Sequence, residues 1–320
     1  MFKISQISKF GELLHKLSVV KHAIILHSQD KILLESVAKL YVMKQECVDQ
    51  NSPCFCCNNC KKILDENAID VEVYGKEKGI VVDDSKAIID SSYVLPIDFK
   101  NKYFILCGFE NATVQAQNKL LKMIEEPQTF DKYIILVQNL DAVLSTIKSR
   151  CQIFSLPRFN DEELKSVFNF KIGEAKKINN AVQFASGNLS KLNDILNDEK
   201  FDEIYSLCLS IILNMQNSSS ILEYSSKIAK YKDKIDMILE TLSSFYRDML
   251  AIKCGEEYLV QNKEILNQLK VLSNMTNQTA LSAILKEIGG VKQKLKFNSN
   301  FNGVIDNLLL KILEVKYLCK

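Results

Sequence analysis

The sequence predicts a parallel α/β domain carrying a short cysteine-rich insert, followed by a small helical domain and a larger all-helical domain. Three observations predict it. Apolar strand-like runs alternate with helical patterns up to about Pro157. Four cysteines crowd into the polar stretch from Cys47 to Cys60. Beyond Pro157 the apolar spacing turns almost wholly helical, with a period of about 3.6 residues. These changes set boundaries at residues 1–157, 158–200 and 201–320.

In order, Ala23, Ile24, Ile25, Leu26 and His27 read as a short buried strand. A helix follows over roughly Ile32 to Gln45, with Leu33, Leu34, Val37, Leu40 and Tyr41 on one face. After the cysteine insert, Asp70 to Tyr74 alternates like a strand, and a helix is expected near Asp83 to Ser92. Lys102 to Cys107 is a fully buried strand in pattern. The helix Val114 to Glu125 stops before Pro127, and Tyr133 to Val137 supplies another buried strand. Past Pro157, the carboxylates of Asp161, Glu162 and Glu163 suit the first turn of a helix. The break at Gly187-Asn188 and the polar run Asn214 to Ser220 mark boundaries between helical units.

Cys47, Cys54, Cys57 and Cys60 follow the order C-x6-C-x2-C-x2-C, with Cys56 inside the run. Tight C-x2-C turns aim sulfurs inward at ~2.3 Å from one tetrahedral ion. The insert is polar and rich in asparagine, and no apolar pattern holds it together. A bound Zn²⁺ supplies the folding energy such a segment lacks. Reduced surface thiols and a C-x-x-C redox centre are the alternatives. A redox pair needs only two cysteines and normally opens a helix after a strand. Four sulfurs leave no open coordination position, so the zinc is expected to be structural.

Composition sets further bounds. The 320 residues suffice for two or three domains. A formal charge of +2 gives no global attraction to DNA or membranes. The start of the chain, Met1 to Ser5, lacks the apolar core of a signal peptide, and no apolar run is long enough to span a bilayer. Ten cysteines without an export signal suggest a reducing cytoplasm. The five beyond the insert are expected to be buried packing residues.

A nucleotide-binding α/β domain needs G-x-x-x-x-G-K-[ST] after its first strand, where glycine amides cradle phosphates. Here that turn reads Ser28-Gln29-Asp30-Lys31-Ile32-Leu33-Leu34-Glu35, with no glycine and with acids that oppose a triphosphate. The Mg²⁺-binding acid expected after the central strand is replaced by Cys107. Both losses predict no ATP hydrolysis and no functional ATP site.

Two other segments are intact: Ala116-Gln117-Asn118-Lys119-Leu120-Leu121-Lys122-Met123-Ile124-Glu125-Glu126-Pro127, and Ser145-Thr146-Ile147-Lys148-Ser149-Arg150-Cys151-Gln152. Together with the cysteine insert they resemble the bacterial clamp-loader branch of the AAA+ ATPases. The family's helix typically reads N-A-L-L-K-x-L-E-E-P, and its loop ends in a Ser-Arg-Cys triplet. Lys119 replaces a small residue of that helix, and the first cysteine gap is two residues shorter than usual. The likeness is weaker over Phe184 to Lys191, which is similar to the sensor-2 segment with Lys191 in place of arginine. It is fainter still over Leu242 to Leu250, which resembles the oligomerising collar helices.

The resemblance implies a RecA-like AAA+ domain, a helical lid and a collar. It also implies a non-hydrolysing subunit of the sliding-clamp loader of DNA polymerase III. Its partners would be gamma/tau and delta subunits and, through the complex, primed DNA and the sliding clamp. Arg150 would act in trans as an arginine finger on a neighbour's ATP, because a guanidinium forks onto phosphate oxygens. Ser149 and Cys151 would orient and support that loop, and Glu125-Glu126 read as a solvated helix end. An ATP-hydrolysing gamma/tau-type or repair ATPase, or a zinc-dependent nucleic-acid-binding module, are the competing readings. The missing glycines oppose the first and the near-neutral charge the second.

Overall fold

The computed structural model describes residues 2–19, 22–49, 52–76, 79–168, 175–215, 217–296 and 300–318. The chain forms two compact units, Met1–Asn169 with Gly187–Lys191, and Phe170–Ser186 with Leu192–Lys320.

The first unit opens with helices α1 (Phe2–Ser5) and α2 (Ser8–Ser18), whose Phe10, Leu13, Leu14 and Leu17 recur at helical spacing and are buried. Then come β1 (Ala23–His27), α3 (Lys31–Glu46), α4 (Asn58–Leu64), β2 (Val71–Tyr74), α5 (Val82–Ser92), β3 (Lys102–Leu106) and α6 (Val114–Glu125). β4 (Asp131–Val137), α7 (Ser145–Lys148), β5 (Gln152–Ser155) and α8 (Asp161–Val167) complete the series. The five strands are all parallel in the order β2-β3-β4-β1-β5.

Strands β1, β3 and β4 are buried on both faces, as their unbroken apolar runs predict. Phe104 stacks on Tyr133 at 5.2 Å between ring centres, and Ile25, Leu106, Ile124, Ile135 and Val137 close around them. Each such side chain contributes roughly 1.5–3 kcal/mol by leaving water. β5 is an addition to the strands read from sequence. Its Gln152, Ile153 and Ser155 are exposed, so a four-residue edge strand shows no buried run. α8 begins as expected, with Asn160 accepting from the Glu163 amide while the Glu163 carboxylate accepts from the Asn160 amide.

The second unit is helical: α9 (Ala175–Ala185), most of α10 (Leu189–Asn197), α11 (Phe201–Asn214), α12 (Ser218–Ala229), α13 (Ile235–Lys253), α14 (Leu266–Asn274), α15 (Gln278–Lys296) and α16 (Phe301–Leu318). α13 is its axis, packing on α11, α14 and α15 through Ile238, Leu242, Phe245 and Met249. Buried Asp248 accepts from the amides of Gln261 and Asn262 and from Asn262 Nδ2, which fixes the return after α13. Cys107, Cys151 and Cys208 are buried, as expected, but Cys254 is exposed in the turn that ends α13; Cys319 lies outside the described residues.

Candidate functional site

The chain leaves β1 at His27 and enters α3 at Lys31, so three residues stand where a phosphate-binding loop would need more. Asp30 is the N-cap of α3, accepting from the Leu33 amide at 3.0 Å, and is only 3% exposed. Asp30, one of the acids read as opposing a triphosphate, is therefore folded inward. At the same edge of the sheet lies a cavity of ≈ 170 Å³, bordered by Lys31, Glu35, Gly75, Lys76, Cys107 and Gly108. Small-molecule sites typically occupy about 300–1,000 Å³. Lys31 Nζ donates to the Lys76 carbonyl. Burial pushes the Cys107 thiol up to about 11, so it presents no charge to a divalent cation.

Arg150 sits between α7 and β5. Buried Gln117 of α6 donates from Nε2 to the carbonyls of Ala112 and Ala142 and accepts from the Leu144 amide. The motif helix is thereby laced to the segment that launches α7. Ile147 and Cys151 enter the core on either side of Arg150, and burial pushes the Cys151 thiol up to about 12. Ser149 caps α7 and donates from Oγ to the Thr146 carbonyl. The Arg150 side chain remains 38% exposed. Nη1 donates to the Thr146 carbonyl at 2.9 Å and to Ser149 Oγ at 3.3 Å, and Nη2 pairs with Glu125 Oε1 at 2.5 Å. Glu125 is therefore an ion-pair partner of Arg150, not simply a solvated helix end. Neither this role nor that of Gln117 was read from sequence, because Arg150 lies 25 residues from Glu125, and Ala142 and Leu144 lie 25 and 27 from Gln117.

The strand register fixes where this arginine stands. Gln152 lies opposite Ile24, and Ser155 opposite His27. Arg150 precedes β5 while the Ser28–Glu35 turn follows β1, so they occupy opposite edges of the sheet. At ~3.3 Å per residue the two are roughly 20 Å apart.

The sulfurs of Cys47, Cys54, Cys57 and Cys60 all lie within 4.8 Å of one another. A tetrahedron with ~2.3 Å metal–sulfur bonds places its sulfurs about 3.8 Å apart. Amides aim at three of these sulfurs: Asp49 and Cys54 at Cys47 Sγ, Cys57 at Cys54 Sγ, and Cys60 at Cys57 Sγ, at 3.3–3.5 Å. The Cys56 and Cys57 amides hold the Cys54 thiol down at about 6, whereas burial pushes Cys60 up. Amide donors and an all-sulfur donor set fit a closed structural metal site. Exposed Cys56 is not one of the four. The insert has protein contacts of its own besides: Lys44 Nζ donates to the Ser52 carbonyl, Asn59 Nδ2 to the Glu46 carbonyl, and Ile63 of α4 is buried.

Two models of one family match the chain. Residues 5–160 match the family described as DNA polymerase III, delta subunit, and residues 198–312 match its C-terminal counterpart. The chain is 23% identical over 271 residues to the DNA polymerase III subunit delta' of Bacillus subtilis, covering 82% of this chain and 81% of that protein. It is 29% identical to the delta' subunit of Haemophilus influenzae over 44% of each chain. The tau subunit of Bacillus subtilis is 22% identical over 88% of this chain and 55% of its own length. A gamma subunit-related structure from Thermotoga maritima aligns over 96% of this chain and 99% of its own, at 17% identity and a TM-score of 0.46. Among the described residues no helix is long and apolar enough to cross a membrane.

Proposed function

Since the chain belongs to the DNA polymerase III delta-subunit family, we propose that it serves as the non-hydrolysing delta-prime subunit of a bacterial sliding-clamp loader. In this reading it works in the cytoplasm beside gamma/tau and delta subunits and meets primed DNA and the clamp through the complex. Residues 1–157 form the AAA+ domain, 158–200 a lid and 201–320 the oligomerising collar.

The observation that carries the reading is the separation of Arg150 from its own chain's nucleotide turn. An arginine held at the opposite edge of the sheet cannot serve the phosphate turn of the same chain, so the phosphate it meets belongs to a neighbour. The guanidinium would exchange Glu125 for the γ-phosphate of an adjoining gamma-type subunit and neutralise charge as it develops there. Gln117 and Ser149 position the loop, and buried Cys151 anchors its far end. Cys47, Cys54, Cys57 and Cys60 would hold a structural Zn²⁺, which takes no part in hydrolysis.

The test is reconstitution. The chain mixed with gamma/tau and delta should form one stable complex that hydrolyses ATP in response to primed DNA, while the chain alone does not. Failure to enter that complex would remove the proposal.

A further inference from the structure

A phosphate-binding turn normally satisfies the amides of a helix start with oxygens of the bound anion. Here the starts of α3 and α10 share a protein oxyanion instead. Asp30 Oδ1 accepts from the Leu33 amide at 3.0 Å, the Ser190 amide at 3.1 Å and Ser190 Oγ at 2.6 Å. Its Oδ2 accepts from the Leu189 amide at 2.5 Å. Ser190 Oγ in turn accepts from the Ile32 amide at 2.8 Å, and Asn188 Nδ2 donates to the Gln29 carbonyl at 3.2 Å. On its other side the segment is pinned by Gly187. The Phe159 amide donates to the Gly187 carbonyl, and a Cβ on Gly187, which has φ +77°, would overlap the Phe159 carbonyl.

We propose that Asp30 is a built-in anion that closes Gly187–Lys191 onto the start of α3 without nucleotide, replacing the phosphate such a site would otherwise take. Four donors converge on one carboxylate that is almost wholly buried, and two helix dipoles favour its negative charge. The clasp is intramolecular, so it is closed at every nucleotide concentration. Restoring glycines to the turn while Asp30 remains would not create a phosphate site, because the donors are already taken. The inference deepens the non-hydrolysing reading. Its contacts lie within the first unit, however, and its test needs neither partner subunits nor hydrolysis, so either can fail alone.

Amide hydrogen exchange on the full chain, with millimolar pyrophosphate as probe, decides it. In the wild-type chain Leu189 and Ser190 should be protected equally with and without pyrophosphate. Asp30→Ala should speed exchange at both by about tenfold or more, the loss expected for a charge-assisted hydrogen bond, and pyrophosphate should restore part of the protection. Asp30→Asn keeps the shape and the acceptor for Leu33 but turns an N–H₂ toward the Leu189 amide. It should fold and lose protection at Leu189 more than at Leu33. Unchanged protection in either variant would overturn the proposal. So would loss in Asp30→Ala without rescue, which would leave Asp30 an ordinary helix cap, or a wild-type chain that itself gains protection from pyrophosphate.

Discussion

Replacing Arg150 by alanine separates a local role from a distant one. Locally the side chain makes one ion pair with Glu125, itself about one-third exposed, and hydrogen bonds to Thr146 and Ser149. Exposed pairs of this kind contribute about 0–1 kcal/mol. At 2–4 °C per kcal/mol for a domain of roughly 150–250 residues, the melting temperature should fall by less than about 4 °C. Assembly should be unaffected. The proposed distant role would be far larger: a finger arginine contributes on the order of 10³-fold or more to phosphoryl transfer, about 4 kcal/mol of barrier. The assay is DNA-stimulated ATP turnover and clamp loading by a complex reconstituted with wild-type or Arg150→Ala chain. In the proposed complex the other ATP sites would not depend on Arg150, so the steady-state loss should be smaller than the loss at the adjoining site, which a single-turnover burst resolves. Arg150→Lys should rescue poorly because an ammonium lacks the planar fork. Glu125→Gln should leave the rate within a few-fold, since it only frees the finger. Equal rates for wild type and Arg150→Ala in an intact complex would refute the trans role outright.

Metal analysis of freshly prepared protein should find one zinc per chain; a zinc-free preparation would contradict the closed-site reading. Cys60→Ser should disorder the insert, while the far-ultraviolet signal of the α/β core and its melting survive, because the core has its own apolar strands. If Cys56 substitutes for a neighbouring ligand, Cys56→Ser will lower zinc content where Cys54→Ser does not. The chain alone should turn over no ATP, and steady hydrolysis by a contaminant-free sample would defeat the non-hydrolysing reading. Asp131 sets a pH trend. Burial pushes its carboxyl up to about 6, against the lowering effects of the Tyr133 hydroxyl and Lys102, and Oδ1 has no hydrogen-bond partner. With the folded value above the unfolded ~3.9, the stabilisation is complete below about pH 4 and lost as pH rises through 6. Asp131→Asn should therefore gain up to about 3 kcal/mol over wild type at pH 7.5 and little at pH 4. Equal gains at both pH values would show that the carboxyl is not perturbed.

Strands buried on both faces were plain in the sequence, because Ile24 to Leu26, Tyr103 to Leu106 and Tyr133 to Val137 are unbroken apolar runs. β5 was not, since an edge strand with polar ends carries no such run. α4 was hidden for a related reason: only Ile63 and Cys60 of its seven residues are buried, and the surrounding chain is polar. Spacing alone gathered the four cysteines, because their partners lie within fourteen residues. The arginine loop was legible as a motif, yet its supports were not. Gln117 reaches Leu144 and Glu125 reaches Arg150 only after α6 has packed beside α7. Asp30 is the extreme case. Its decisive partners, Leu189 and Ser190, stand about 160 residues away, and nothing local distinguishes a buried cap from a surface acid.

The strand order also dictates the sequence of events on the ribosome. β1 cannot pair until β4 exists, because Ala23 faces Tyr133 across 110 residues of chain. At roughly 5–20 residues per second of synthesis, the most apolar strand waits on the order of 5–20 s without a neighbour. β2 and β3 meet much earlier, Val71 facing Tyr103 across 32 residues. The cysteine cluster closes earlier still, its ligands spanning Cys47 to Cys60. Short loops close with the least entropy loss, so once α2 and α3 have met, the cysteine knuckle is the next tertiary feature the emerging chain can complete. It ties the end of α3 to the start of α4 while β1 is still unpaired. Arrested nascent chains of increasing length should therefore protect the insert from protease well before they protect β1.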